Sequence, residues 1–401
     1  MKILVICQHY YPEPFRIPDI CEELVRRGHQ VTVATGVPNY PEGVIYKGYE
    51  NKKNRKEMRN GVDVNRCETI PRKTGTIYRF LNYYSYAFSS TRFVNKLDDS
   101  YDVVVVNQLS PVMMAYAGLK YAKKYKKPVL LYCLDLWPES LVAGGISRKS
   151  PIYKYFFRVS KRIYSSVDKI LVTSQMFADY MKEHFGIEKE KIGHLPQYAE
   201  NLFDSVSASK KSDSKEYNFV FAGNLGAIQS IDTIIKAAAL LKSSEHKIKW
   251  HIVGSGSDFE HLQTMAHSKG LDNVIFYGRK PLEDMPKYYA LADAMLITLK
   301  NDPIISLTLP GKLQSYMAAG KPVIGAIDGE TKKVIEEARC GYCAQAESPE
   351  ALAENICRFI NSNEKEQMGK NARKYYEKYF TEERFIENLI SELENVRRQK
   401  R

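Results

Sequence analysis

Lys2-Ile3-Leu4-Val5-Ile6-Cys7 is apolar after its first residue, Pro18 to Arg27 carries apolar residues at helical spacing, and Gly28-His29-Gln30 leads into Val31-Thr32-Val33-Ala34-Thr35. Strand, helix and strand in that order make a βαβ unit, and strands without a polar face belong to parallel sheets covered by helices on both sides. The alternation continues outward. Val103 to Val106 is a four-valine strand, Val112 to Tyr125 a helix with a lysine-rich last turn, and Pro128 to Leu134 another apolar strand. Ile170-Leu171-Val172-Thr173-Ser174 repeats the theme, with Ser174 placed to cap a helix from near Met176.

Across 201–216 the hydrophobic period is lost in a Ser/Lys-rich stretch, Phe203 to Ser214, that reads as a linker or exposed loop. A second series follows: strands Asn218–Ala222, Lys249–Val253, Val274–Tyr277, Ala294–Leu299 and Pro322–Ala326, with helices Ile231–Leu241, Phe259–Lys269, Met285–Leu291 and Lys312–Ala319. The fold class is therefore α/β, two doubly wound domains over 1–200 and 217–380. An amphipathic helix in 381–401, capped by Thr381, is expected to pack back across the boundary.

Composition agrees with this reading. A chain of 401 residues, 44% hydrophobic and 26% charged, has the length of two to three domains and excludes disordered or collagen-like classes. Its apolar runs stay far short of a membrane span, and the first turns polar at Gln8, so a cytosolic chain is expected. Seven cysteines from Cys7 to Cys357, with Cys340 and Cys343 the one close pair, offer neither a disulfide framework nor a zinc site. They read as reduced and buried. A net charge of +12 asks for an anionic partner. With no zinc-finger spacing, RNP-type sequence or long basic block, nucleic acid is not expected to be that partner.

In open α/β sheets ligands bind beyond the carboxyl ends of strands. Gly223-Asn224-Leu225-Gly226, ahead of a helix expected near Gln229, reads as a phosphate-approaching turn or as a packing turn, and Gly254-Ser255-Gly256-Ser257 has the same two readings. Lys312, after Leu309-Pro310-Gly311, would lie in a first helical turn, where the dipole disfavours a structural lysine and an anion would favour it; a solvated surface lysine is the alternative. Arg279 is a candidate for base or phosphate, or a surface residue. In the first half, Asp135-Leu136-Trp137-Pro138-Glu139 sets two carboxylates four apart at a strand end, either to bind or react with something, or as N-cap and surface acid. Tyr10 to Arg16 and Asn39-Tyr40-Pro41-Glu42-Gly43 are comparable polar-aromatic loops.

From Arg72 to Lys96 there are five basic residues (Arg72, Lys73, Arg79, Arg92, Lys96) and no acid, and Phe80, Tyr83, Tyr84, Ala87 and Phe88 follow helical spacing. Such a helix suits an anionic membrane surface, or is a core-facing stripe with basic flanks.

Taken in order, Tyr11-Pro12-Glu13 with Phe15-Arg16, Pro38 to Gly43, Asp135 to Ser140, Gly223 to Gly226, and Pro310-Gly311-Lys312 through Tyr316 to Pro322 resemble the GT-B retaining glycosyltransferases. Within them, the segments are similar to the bacterial capsule, exopolysaccharide and O-antigen type, including the colanic-acid-fucosyltransferase-like subgroup. The resemblance implies two Rossmann-like domains facing across a cleft, a nucleotide-sugar donor (a UDP-sugar) on the second, an acceptor on the first, and neither metal nor cofactor. Donor contacts would come from Gly223, Asn224, Leu225, Gly226, Gln229, Gly254, Arg279, Leu309, Pro310, Gly311 and Ser315, and acceptor contacts from Glu13, Arg16, Asn39, Tyr40 and Trp137. Asp135, Glu139 and Lys312 would be the catalytic groups: Lys312 and backbone amides for the leaving diphosphate, the two acids for acceptor hydroxyls, the departing phosphate taking the proton.

Family cations of the donor-phosphate loop fall here at Asn224 and Gln229, its two glutamates at Leu307 and Ser315, and its first-domain histidine at Leu134, while Glu13-Pro14-Phe15 replaces a Gly-Gly turn. The basic aromatic helix fits a polyprenyl-diphosphate-linked saccharide acceptor and a peripheral place on the inner face of the cytoplasmic membrane. A nucleotide-sugar 2-epimerase and a non-catalytic nucleotide-binding scaffold are the alternatives. A dinucleotide dehydrogenase is disfavoured, since Gln8-His9-Tyr10 stands where Gly-x-Gly-x-x-Gly would be needed.

Overall fold

The computed structural model describes residues 1–73, 75–143, 145–204, 206 and 216–400. It divides into two compact units, Met1–Leu195 with Ile386–Arg401, and Pro196–Phe385.

Strands of the first unit are β1 (Lys2–Ile6), β2 (Gln30–Gly36), β3 (Lys56–Arg59), β4 (Val62–Cys67), β5 (Val103–Gln108), β6 (Val129–Cys133), β7 (Lys169–Val172) and β8 (Ile192–His194). Among the described residues they form one sheet in the order β3-β4-β2-β1-β5-β6-β7-β8. All neighbours are parallel except β3 against β4. The chain winds first to one side of β1 and then to the other, so the loops after β2, β1, β5 and β6 share one edge. Each of those four loops contains a cis X–Pro bond, before Pro41, Pro12, Pro111 and Pro138. Ile3 to Ile6 and Val103, Val104 and Val106 are fully buried or nearly so, as helices on both faces require.

The second unit contains β9 (Glu216–Ala222), β10 (Lys247–Val253), β11 (Val274–Gly278), β12 (Ala294–Thr298), β13 (Val323–Ala326) and β14 (Gly341–Ala344), in the parallel order β11-β10-β9-β12-β13-β14. The alternation of side chains along β9 builds both faces. Phe219 and Phe221 enter one apolar cluster with Trp250 and Ile324, while Val220 and Ala222 enter another with Tyr316 and Met317.

Several boundaries differ from the sequence reading. The units meet in sequence at Leu195–Pro196, not within 201–216, because Asn201–Phe203 forms a turn of the second unit with Phe203 buried and stacked on Tyr289. Most of the Ser/Lys-rich stretch lies outside the described residues. Val112–Met114 is a 3-10 turn, and the α-helix begins only at Ala115. The last helix, Glu382–Gln399, has Thr381 Oγ1 accepting the Arg384 N–H, and Ile386, Leu389, Leu393 and Val396 make its buried stripe. Its ion pairs from Arg397 to Asp102 and Lys400 to Asp168 lie within the first unit. Leu393→Ala should therefore destabilise the first unit by about 2–5 kcal/mol, the cost of a Leu-sized cavity. Urea unfolding followed by a probe in the first sheet measures it.

Candidate functional site

The helix Gly311–Ala318 and the end of β9 meet through one residue. Tyr316 Oη donates to Ala222 O at 3.0 Å and accepts from Ala222 N at 3.1 Å. Lys312 lies four residues earlier, on the same helical face, and is carried to the next residues of the chain. Its Nζ is 4.2 Å from the centre of the Phe221 ring and donates to Gln229 Oε1. A Cβ on Gly223 would sit 2.9 Å from it. The ammonium is thus bounded by an aromatic face, an amide oxygen and a glycine backbone, and among the described residues no carboxylate pairs with it. Burial alone pulls its pKa down from 10.5 to about 7.

Beneath it the two glycine turns interlock. Gly254 has φ +146°, and a Cβ there would lie 1.8 Å from Gly223 O; a Cβ on Gly256 would lie 2.4 Å from Leu225 O. Both turns are therefore packed against each other, as the packing reading of the sequence has it. This corrects one assignment: the amide of Gly223 donates to Val253 O and that of Leu225 to Ser255 O, so only those of Asn224 and Gly226 stay uncommitted among the described residues. The expected helix start at Gln229 is a 3-10 turn, Ala227–Gln229, and the α-helix begins at Ile231 with Asp232 in its first turn, an acid that opposes an anion. By contrast, the helix Gly311–Ala318 has no acid in its first turn and no capping side chain. Pro310 is its N-cap, Leu309 is buried, and Ser315 is buried with Oγ donating to Gly311 O at 3.4 Å. Arg279 is exposed just after β11. Leu307 ends a 3-10 turn.

Along the carboxyl edge of the first sheet most of the nominated polar groups are already committed. Glu13 is buried and accepts from the Asn39 and Tyr40 amides at 2.9 and 2.7 Å, the Tyr10 amide at 3.3 Å and His9 Nδ1 at 3.0 Å. Asn39 Nδ2 donates to Val37 O, and its Oδ1 accepts the Arg72 amide. Glu139 is fully buried, its carboxylate taken up by the Tyr153 and Tyr180 hydroxyls and by Arg148 at 2.9 Å. The Glu13 and Glu139 carboxylates thus have their lone pairs taken up in framing loops, while Asn39 keeps one amide hydrogen and one lone pair. Trp137 is buried against Tyr83 and Phe156, again a packing residue. Tyr40 and Arg16 are half-buried. Asp135 differs: Oδ2 accepts from the Ser110 amide and hydroxyl, both at 3.2 Å, Oδ1 has no partner among the described residues, and burial raises its pKa.

The basic aromatic stretch is a helix, Thr76–Val94, but its stripe divides. Tyr83 and Ala87 are buried and Phe80 stacks on Phe156, while Ile77, Tyr78, Leu81, Tyr84 and Phe88 are exposed. The sequence reading missed a second helix beside it, Pro151–Ser166, whose Tyr155 hydroxyl hydrogen-bonds Tyr84 and which exposes Ile152, Tyr155, Lys154, Arg158, Lys161 and Arg162. No acidic residue occurs from Ser140 to Val167. No helix of the described residues is long and apolar enough to cross a membrane, and among them no three His, Cys, Asp or Glu converge as a metal-holding group.

Two parallel doubly wound sheets, the second with a cation and glycine turns at its carboxyl edge, define a GT-B architecture. Residues 203–375 match the family described as Glycosyl transferases group 1, and residues 17–197 match Glycosyltransferase Family 4. The chain carries both domains and is a glycosyltransferase. WcaI of Escherichia coli, named for colanic acid biosynthesis, is 24% identical over 419 residues, 98% of this chain and 100% of that protein. WbjE of Pseudomonas aeruginosa, named as a glycosyltransferase, is 27% identical over 267 residues, 63% of this chain; the match spans 65% of its length. Sucrose-phosphate synthase from Thermosynechococcus elongatus superposes with TM-score 0.77 at 16% identity, over 98% of both chains. Anabaena HepE in complex with UDP-glucose gives 0.69 at 16% identity, over 98% of this chain and 100% of that one.

Since the unfolded chain holds the Lys312 proton up to about pH 10.5 and the folded chain sheds it near 7, this residue disfavours folding below pH 7, and the cost is relieved as pH rises between the two values. Lys312→Met should accordingly melt higher than the parent at pH 6, with the difference shrinking toward pH 9. Thermal denaturation across that range measures it.

Proposed function

We propose that the protein transfers a sugar, with retention and without a metal, from a nucleotide-diphosphate sugar, a UDP-sugar, to a polyprenyl-diphosphate-linked saccharide in capsule, exopolysaccharide or O-antigen assembly, as the colanic-acid-type subgroup would. One observation carries the donor half: the Lys312 ammonium beside the carboxyl end of β9, which has no carboxylate partner among the described residues. A leaving diphosphate gains negative charge in the transition state, and a preorganised cation shielded from water stabilises that charge more than water would. The first turn of the helix Gly311–Ala318 and the Asn224 and Gly226 amides add uncommitted N–H groups nearby. HepE with bound UDP-glucose and WcaI in colanic acid biosynthesis support the donor class and the process.

On the acceptor side, Asp135 Oδ1 is suited to orient a sugar hydroxyl. The exposed apolar residues of the helix Thr76–Val94 with the cations of Pro151–Ser166 suit the inner face of the cytoplasmic membrane, which would bring the enzyme to a lipid-linked substrate.

In a thermal-shift screen of nucleoside diphosphates, UDP should raise the melting temperature of the parent protein, and Lys312→Ala should abolish the response and lower transfer about a hundredfold. Transfer should survive chelation by EDTA, and the product should keep the donor's anomeric configuration by NMR. Epimerised donor without acceptor, or nucleotide binding with no turnover, would replace this reading. Vesicles containing phosphatidylglycerol should float with the parent protein and much less with Arg79, Arg92 and Arg158 all changed to Glu. Equal flotation would remove the membrane assignment.

A further inference from the structure

We propose that a groove beside the helix Thr76–Val94 seats one anionic phospholipid, its phosphate at Arg92 and Lys96 and the start of an acyl chain along Ile70 and Phe88. The inference rests on the membrane assignment above and adds to it a single bound lipid. The groove lies within the first unit and has a volume of about 560 Å³, in the range of small-ligand sites. One wall is a single helical face, in which Ser85, Phe88, Ser89, Arg92 and Phe93 recur at three and four residues, with Lys96 just past the helix end. The other wall is the chain from Arg66 to Ile70, the end of β4 and the residues after it.

Most of the polar groups lining the groove are spent. Ser85 Oγ accepts the Ile70 amide at 2.9 Å and Ser89 Oγ donates to Glu68 O at 2.6 Å, so helix and chain are pinned together. These bonds also use main-chain groups that a docked peptide strand would need. Thr69 Oγ1 donates to Cys67 O, the Glu68 carboxylate pairs with Arg55 at 2.9 Å, and Arg66 pairs with Glu57 at 2.7 Å. Arg92 and Lys96 differ. Both are exposed, and among the described residues their side chains have neither a carboxylate nor a hydrogen-bond partner. From Ile70 to Leu97 the chain has no acidic residue. The unspent charge is therefore positive and asks for an anion.

The dipole of a helix C-terminus would account for these two cations alone. It does not account for the apolar half of the groove. Phe88 is 69% exposed and Ile70 40% exposed, which forgoes apolar burial, and half-buried Phe93 and buried Cys67 continue the apolar lining inward. A free phosphate would leave these residues bare, and a neutral chain would leave the cations unpaired. A lipid with an anionic head satisfies both. Phe88 also ends the exposed row Ile77, Leu81, Tyr84 and Phe88, spaced by four, three and four residues, on which the membrane assignment draws. Lipids of the bilayer would thus lie next to the groove.

The test uses the full chain in titration calorimetry with two soluble lipids, dihexanoyl-phosphatidylglycerol and dihexanoyl-phosphatidylcholine, and with inorganic phosphate as the head alone. The parent should bind one phosphatidylglycerol per chain at saturation, about tenfold or more tighter than phosphatidylcholine or phosphate. Arg92→Gln combined with Lys96→Gln should remove the preference for phosphatidylglycerol, and Phe88→Ser should weaken both lipids. All three positions are exposed, so the variants should fold, which an unchanged melting temperature checks. Four results would each overturn the inference: equal binding of the two lipids, inorganic phosphate bound as tightly as the lipid, a hexaglutamate peptide bound more tightly than the lipid, or variants that bind as the parent does. Flotation of the parent on phosphatidylglycerol vesicles would then leave the membrane assignment standing. A parent that does not float on such vesicles would overturn both.

Discussion

A half-buried ammonium with no counter-charge among the described residues is costly to keep, and the donor side of this protein depends on keeping one. Lys312 is held by a chain of local necessities. Tyr316 fastens its helix to the last residue of β9, Phe221 presents a ring, Gln229 offers an amide oxygen in place of a carboxylate, and Gly223 leaves the space a Cβ would fill. Had Gln229 been an acid, the cation would be neutralised within the fold. As built, its charge is available to a ligand, and the low pKa that burial imposes would be raised again by an anionic phosphate.

The first unit handles polar groups in the opposite way. Glu13 and Glu139 look reactive in the sequence, yet each carboxylate is saturated by hydrogen bonds that hold one loop against another, and Asn39 is half committed in the same way. Their work is to frame the edge of the sheet. What the frame leaves over, among the described residues, includes one oxygen of Asp135 and part of the Asn39 amide. A site in which most polar atoms are spent on each other can present the few remaining ones in fixed positions.

How much of this could be read beforehand follows from burial. Strands enclosed on both faces, such as Val103–Gln108 and Ala294–Thr298, are nearly all apolar and announce themselves. β4 does not, since Asp63, Asn65 and Arg66 interrupt it, and Arg66 is accommodated there by Glu57, the Tyr49 ring and the Asn54 and Tyr11 carbonyls. The helix Pro151–Ser166 was announced by its Ser150-Pro151 start, where Ser150 accepts the Tyr153 amide, but its mixture of cations and aromatics masks the period. At the site, residue type and strand-end position were enough to single out Lys312 and Asp135. They could not separate them from Glu139 or Glu13, because that depends on which long-range partners consume each oxygen.

The most direct measurement is a crystal structure of the protein with UDP bound. The account predicts the distal phosphate within hydrogen-bond distance of Lys312 Nζ, about 2.7–3.2 Å, with Gln229 displaced or sharing the ammonium. A bound UDP whose phosphates lie away from Lys312, with the Gln229 contact intact, would contradict it.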